Sequence, residues 1–149
     1  MKVIGLGNEH RHDDAAGLVA ARRLRAHGIP AEEYDGDPAG LIERWQGVDD
    51  LLLIDAVVSG GAPGTVYCLD ASVGPLDSVV FRSSTHALGL GDAVELARAL
   101  EVLPGKVMVL GVEVRDVTPG IGLSPEVEGA LAELVLRVVK KALSCRERA

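Results

Sequence analysis

The chain has 149 residues, 48% of them hydrophobic, and carries 15 Lys and Arg against 22 Asp and Glu for a formal charge of −7. That length fits one ordinary domain spanning 1–149, with enough apolar residues to fold without disulfide staples. The acidic balance argues against nucleic acid and anionic membranes as partners, and no apolar run reaches the roughly 18 to 20 residues of a membrane span.

Residues 1–6 form a short apolar run rich in branched side chains, which predicts a buried strand. Gly5, Gly7 and Asn8 break it and open backbone angles closed to bulkier residues. A polar loop follows, and residues 15–27 predict a helix with Leu18, Val19 and Leu24 inward and Arg22, Arg23 and Arg25 outward. His27-Gly28 and Pro30 stop it. His10, His12, Asp13 and Asp14 therefore lie where a strand hands over to a helix, the place where open α/β sheets bind ligands.

Two chemistries compete for that loop. Gly5-x-Gly7 fits half of a dinucleotide fingerprint, but the third glycine would fall at His10, and two Asp stand where a pyrophosphate would sit. Carboxylates and imidazoles instead suit a divalent metal. The plainer reading is that Asp13 or Asp14 only caps the helix. His10 and His12 read as solvated loop residues.

Residues 31–35 predict a short, charged strand near a sheet edge. Residues 39–45 predict a short helix with Leu41, Ile42 and Trp45 on one face, Trp45 serving as core. Residues 49–57 are the clearest central strand, a near-continuous apolar run suited to a parallel strand covered on both faces. Asp55 closes it, and a carboxylate there is costly unless it is paired or metal-bound. Residues 65–69 alternate and predict an antiparallel strand, with Cys68 as a small core residue. Cys68 and Cys145 share no metal-like spacing, which suits a reducing cytosol, and the N-terminus lacks a signal-peptide layout, so a cytoplasmic location is expected.

Val79-Val80-Phe81 leads through Ser83, Ser84 and Thr85 to His86, then to a helix over about 90–100 with Leu90, Val94, Leu96, Ala97 and Leu100 at helical spacing. A Ser84-His86-Asp triad is disfavoured because Ser84 is not in a nucleophile-elbow sequence. Residues 106–114 predict another buried strand ending at Glu113. Ser124 and Pro125 read as N-cap and first position of a last helix, with Val127, Leu131, Leu134, Val135, Val138 and Val139 inward. The final residues, 144–149, read as a frayed tail.

The order predicts a three-layer α/β/α domain with a mostly parallel twisted sheet of about five strands, one of them antiparallel. Asp14, Asp55 and His86 are then expected at one edge of that sheet. Two carboxylates and an imidazole form a transition-metal set with open positions.

The motifs Gly5-Leu6-Gly7-Asn8 with Asp13-Asp14 and Gly17, Leu53-Ile54-Asp55-Ala56 with Gly60-Gly61-Ala62-Pro63-Gly64-Thr65-Val66, Ser84-Thr85-His86-Ala87-Leu88-Gly89-Leu90, Gly111-Val112-Glu113-Val114 and Gly122-Leu123-Ser124-Pro125-Glu126-Val127 together resemble the hydrogenase maturation endopeptidases. The match runs over nearly the whole domain. Departures are Asp14 where the family often has Glu, Ala15 where it often has Gly, and Val114 where it often has Pro. The resemblance implies an endopeptidase that removes the C-terminal extension of a nickel-loaded hydrogenase large-subunit precursor. It implies Asp14, Asp55 and His86 as metal-contacting, catalytic residues, with the nickel supplied by the substrate. The alternatives are a non-catalytic nickel-sensing or chaperone module on the same fold, and a nucleotide-binding domain. The sequence leaves the roles of Asp37 and Glu113 open.

Overall fold

The structure, a computed structural model, describes residues 1–76 and 89–148. Its elements are β1 (Lys2–Leu6), a 3-10 turn (His12–Ala15), α1 (Ala16–Ala26), β2 (Ala31–Tyr34), α2 (Pro38–Arg44), β3 (Asp50–Val57), β4 (Val66–Asp70), α3 (Leu90–Ala99), β5 (Lys106–Glu113) and α4 (Pro125–Glu147). The strands form one sheet in the order β2-β1-β3-β5-β4. All neighbours run parallel except β4, which pairs antiparallel with β5.

Alternation along the strands divides the core into two layers. Val3, Leu52, Ile54, Ala56 and Val112 pack against α1 and α4 through Ala20, Leu24, Leu131 and Leu134. Ile4, Leu6, Leu51, Leu53 and Val57 pack on the other face, against Leu41 and Trp45 beside α2 and Leu90 and Val94 of α3. Burial on both faces explains why β3 reads as an unbroken apolar run. It also makes Trp45 a core residue, as its helical spacing predicts.

The beginning of α1 lies unusually close to the sheet. A Cβ on Gly5 would stand 1.9 Å from the Gly17 carbonyl oxygen, and one on Gly17 would stand 2.2 Å from that of Leu6 and 2.3 Å from that of Ile54. Those glycines therefore serve helix-to-strand contact, and no third glycine is needed at His10.

Several expectations change in detail. The first helix is two pieces, a 3-10 turn and then α1. On α3 the buried positions are Leu90, Ala93, Val94 and Ala97, whereas Leu96 and, at the helix end, Leu100 are exposed beside that face. Cys68 is exposed and not a core residue. Edge strand β4 packs Tyr67 and Leu69 onto the core beside α3, whereas Cys68 faces the α4 side and lines an open cavity with Leu134 and Val138. The expected frayed tail is helical to Glu147. No helix among the described residues is long and apolar enough to cross a membrane. The 79–81 stretch, Ser84 and His86 lie outside the described residues.

Candidate active site

Among the described residues, four carboxylates are buried: Asp13, Asp14, Asp55 and Glu113. All four lie toward the carboxyl edge of the parallel strands. Two come from the turn after β1, one from β3 and one from the end of β5. Burying a carboxylate is expensive without compensating hydrogen bonds, charge or metal, so four on one edge mark it as a site.

Asp55 is the sixth of the eight residues of β3 and sits beside Gly111 of β5. Its alternation partners Leu53 and Val57 belong to the layer packed by α2 and α3, so Asp55 is directed to that face. His86 precedes α3 in the chain by a few residues. One Asp55 oxygen, Oδ1, accepts the Ala56 N–H at 2.8 Å.

Asp14 comes from the 3-10 turn after β1. The 3-10 turn that carries it packs against both β3 and α1. Its backbone is fixed at both ends, with its N–H donated to the Arg11 carbonyl at 3.0 Å and its carbonyl accepting from Asn8 N–H at 3.2 Å. Gly7 makes room for it, since a Cβ there would stand 2.1 Å from the Asp14 carbonyl oxygen. Asp14 and Asp55 are thus both buried toward the carboxyl ends of the strands, and His86 lies outside the described residues. Among the described residues no group of three His, Cys, Asp or Glu has the arrangement of a metal site.

The helix-cap reading of Asp13 and Asp14 gives way to a different one. Neither the 3-10 turn nor α1 has a side-chain N-cap bond. Asp13 instead joins two distant segments. Its Oδ2 accepts the backbone N–H of Arg115 at 2.9 Å, that of Asp116 at 3.0 Å and the Ser124 hydroxyl at 2.8 Å. Its Oδ1 accepts the Ser124 backbone N–H at 2.7 Å. A carboxylate offers about four acceptor sites, and these four bonds, three on Oδ2 and one on Oδ1, offset its burial. Ser124 occupies the N-cap position of α4, but its hydroxyl serves Asp13 and not the helix.

Glu113 does the corresponding work for the loop after β3. Its carboxylate accepts the Ser59 N–H at 3.1 Å, the Ser59 hydroxyl at 2.8 Å and the Gly61 N–H at 2.5 Å. Tyr67 extends this network through its hydroxyl, 3.1 Å from that of Ser59. Sequence reading flagged Glu113 by its place at a strand end, but its partners lie 52 and 54 residues away and left no local signal.

The imidazoles near the turn differ. His10 is exposed and helps to line a polar cavity with Glu9, Arg22 and Glu33. His12 is half-buried, adopts a left-handed φ of 44°, and its Nδ1 is 3.1 Å from the Gly122 carbonyl oxygen. Its backbone N–H bonds Gly120 O at 2.9 Å, which binds the first loop to the 115–124 loop. Asp37 caps α2, accepting the Gly40 N–H at 2.8 Å. Beside the cavity, burial pushes the Glu33 carboxyl up, but hydrogen bonds and charge from Arg22 and Arg25 outweigh it and hold the group below the usual carboxylate range.

Comparison with known proteins agrees with this arrangement. A family model described as HycI, hydrogenase maturation protease, matches residues 36–141. The Hydrogenase 2 maturation protease of Escherichia coli strain K12 is 36% identical over 148 residues, covering 95% of this chain and 88% of that protein. The fold superposes on the NiFe hydrogenase maturation protease HybD from Thermococcus kodakarensis with a TM-score of 0.77 at 30% identity, over 95% of this chain and 97% of that one. It superposes on the hydrogenase maturating endopeptidase HybD from E. coli with a TM-score of 0.73 at 30% identity, over 99% and 93%. With the family pattern matched over more than half its length and the architecture shared throughout, the chain belongs to the hydrogenase maturation protease family.

Proposed function

We propose that this protein cleaves the C-terminal extension from a nickel-loaded hydrogenase large-subunit precursor, and that Asp14, Asp55 and His86 contact the nickel carried by that substrate. The observation that supports it most is the burial of both Asp14 and Asp55 toward the carboxyl edge of the sheet, one on the turn after β1 and one on β3. Carboxylate oxygens and an imidazole nitrogen are suitable donors for a divalent transition ion. Asp13 and Glu113, equally buried, have their burial offset by hydrogen bonds to loops and need no metal to account for it.

The ion, when present, supplies Lewis acidity that polarises the scissile carbonyl or activates a water. The chain contributes the placement. The Gly5–Gly17 contact brings the Asp14 turn down onto β1 and β3, and β3 carries Asp55 to the same edge. Because the nickel arrives in the precursor, the isolated protein is expected to hold no tightly bound metal of its own. The two free thiols of Cys68 and Cys145 are exposed, which suits a reducing compartment such as the cytoplasm.

The test is incubation of the protein with nickel-loaded and nickel-free precursor, followed by mass measurement of the precursor. Loss of a mass equal to the C-terminal extension, only from the loaded form, is expected. Asp14→Ala, Asp55→Ala and His86→Ala should each abolish it. Nickel-dependent binding without any mass loss would instead establish the non-catalytic sensing or chaperone reading.

A further inference from the structure

We propose that Asp13 is a positioning residue for the reaction: it fixes the peptide unit that carries Asp14 and sets where the Asp14 carboxylate stands. This rests on the reading of Asp14 given above.

Asp13 is fully buried, and its carboxylate accepts four hydrogen bonds, all from residues 115–124. Its own backbone N–H donates to the Asp116 carbonyl at 2.9 Å. Side chain and main chain of Asp13 therefore both grip the segment between β5 and α4. The next Cα along the chain is only about 3.8 Å away, so any displacement of Asp13 is passed directly to Asp14. The flanking bonds from Asp14 to Arg11 and Asn8 are local and move with the loop. His12 at the start of the turn also bonds this segment, at Gly120 and Gly122, but Asp13 adjoins Asp14 and makes five of the turn's bonds to it.

The carboxylate is specific for this task. All four of its partners are donors, so a group with acceptors only is required. An Asn side chain offers one acceptor oxygen. If that oxygen takes the place of Oδ2, its amide nitrogen faces the Ser124 backbone N–H, donor against donor, and that bond is lost. Removing the Ser124 hydroxyl is gentler, because three of the four bonds survive.

Cleavage kinetics and thermal midpoints of wild type, Ser124→Ala, Asp13→Asn and Asp14→Ala test this. Outer groups that orient a ligand typically contribute about 10- to 100-fold in activity. Asp13→Asn is expected to lower kcat by about that factor per folded molecule, with KM within about twofold of wild type. Ser124→Ala, which should fold normally, is expected to show a smaller loss in the same parameter. A merely structural role would lower the thermal midpoint and leave kcat per folded molecule unchanged. Wild-type kcat in both Ser124→Ala and Asp13→Asn, with Asp14→Ala inactive, would overturn the inference and leave the site reading intact. Wild-type cleavage by Asp14→Ala would overturn both.

Discussion

A Cβ on Gly17 would stand 2.3 Å from the Ile54 carbonyl oxygen, so the first turn of α1 touches the backbone of β3 one residue before Asp55. Both surfaces are main chain and neither can swing aside. Overpacking a well-filled site costs about 1–3 kcal/mol, and Gly17→Ala is expected at or above the top of that range. Urea unfolding measures it. A change below about 1 kcal/mol would show that the helix start can lift from the sheet without loss.

Glu113 holds the loop after β3 through Ser59 and Gly61. Hydrogen bonds to a charged group contribute about 1.5–3 kcal/mol, and a buried donor left unmatched adds to the loss. Glu113→Gln should destabilise the fold by about 2–3 kcal/mol. Amide exchange at Ser59 and Gly61 should accelerate more than exchange in β1. Uniform acceleration across the sheet would contradict a local role.

Acid should reveal the Glu33 pairing with Arg22 and Arg25, at 2.8 Å and 2.5 Å. The folded-state value of Glu33 lies below its unfolded value, so the unfolded chain binds its proton first. The resulting stability is present above the ordinary carboxylate range and is lost as pH falls through the folded value. Glu33→Gln should therefore be less stable than wild type at pH 7, with the gap closing toward pH 3. A stability gap that stays constant from pH 7 to pH 3 would contradict the assignment.

On the proposed reading of Asp14, its charge should matter more than its length. Asp14→Glu keeps an anionic oxygen donor and matches the residue that the resembling family often carries there. It is expected to retain measurable cleavage of nickel-loaded precursor. Asp14→Asn keeps the size, removes the charge and should lose cleavage. Equal activity in the two variants would separate Asp14 from any metal contact.

Much of the fold was readable from apolar patterning. The uninterrupted run of β3 and the Ser124-Pro125 start of α4 reported their elements because both signals are local. The antiparallel β4 followed from its short connection. Other features depend on what the chain meets in space. Cys68 alternates like a core residue, but it lies on an edge strand and lines an open cavity with Leu134 and Val138 of α4. Leu96 and Leu100 have helical spacing, yet α3 buries the side marked by Ala93 and Ala97. Asp13 and Asp14 are chemically identical neighbours. Their different surroundings emerge only when residues 115–124 come back to the first loop and donate four hydrogen bonds to the Asp13 carboxylate.

Direct contact between the three side chains and the substrate's ion is the central claim. Nickel K-edge absorption on loaded precursor, alone and in a cleavage-blocked complex with this protein, tests it most directly. Complex formation is expected to add oxygen and nitrogen scatterers to the first shell, with fewer added by Asp55→Ala and His86→Ala at equal complex occupancy. A nickel spectrum unchanged on binding wild-type protein, with cleavage still competent on release of the block, would contradict it.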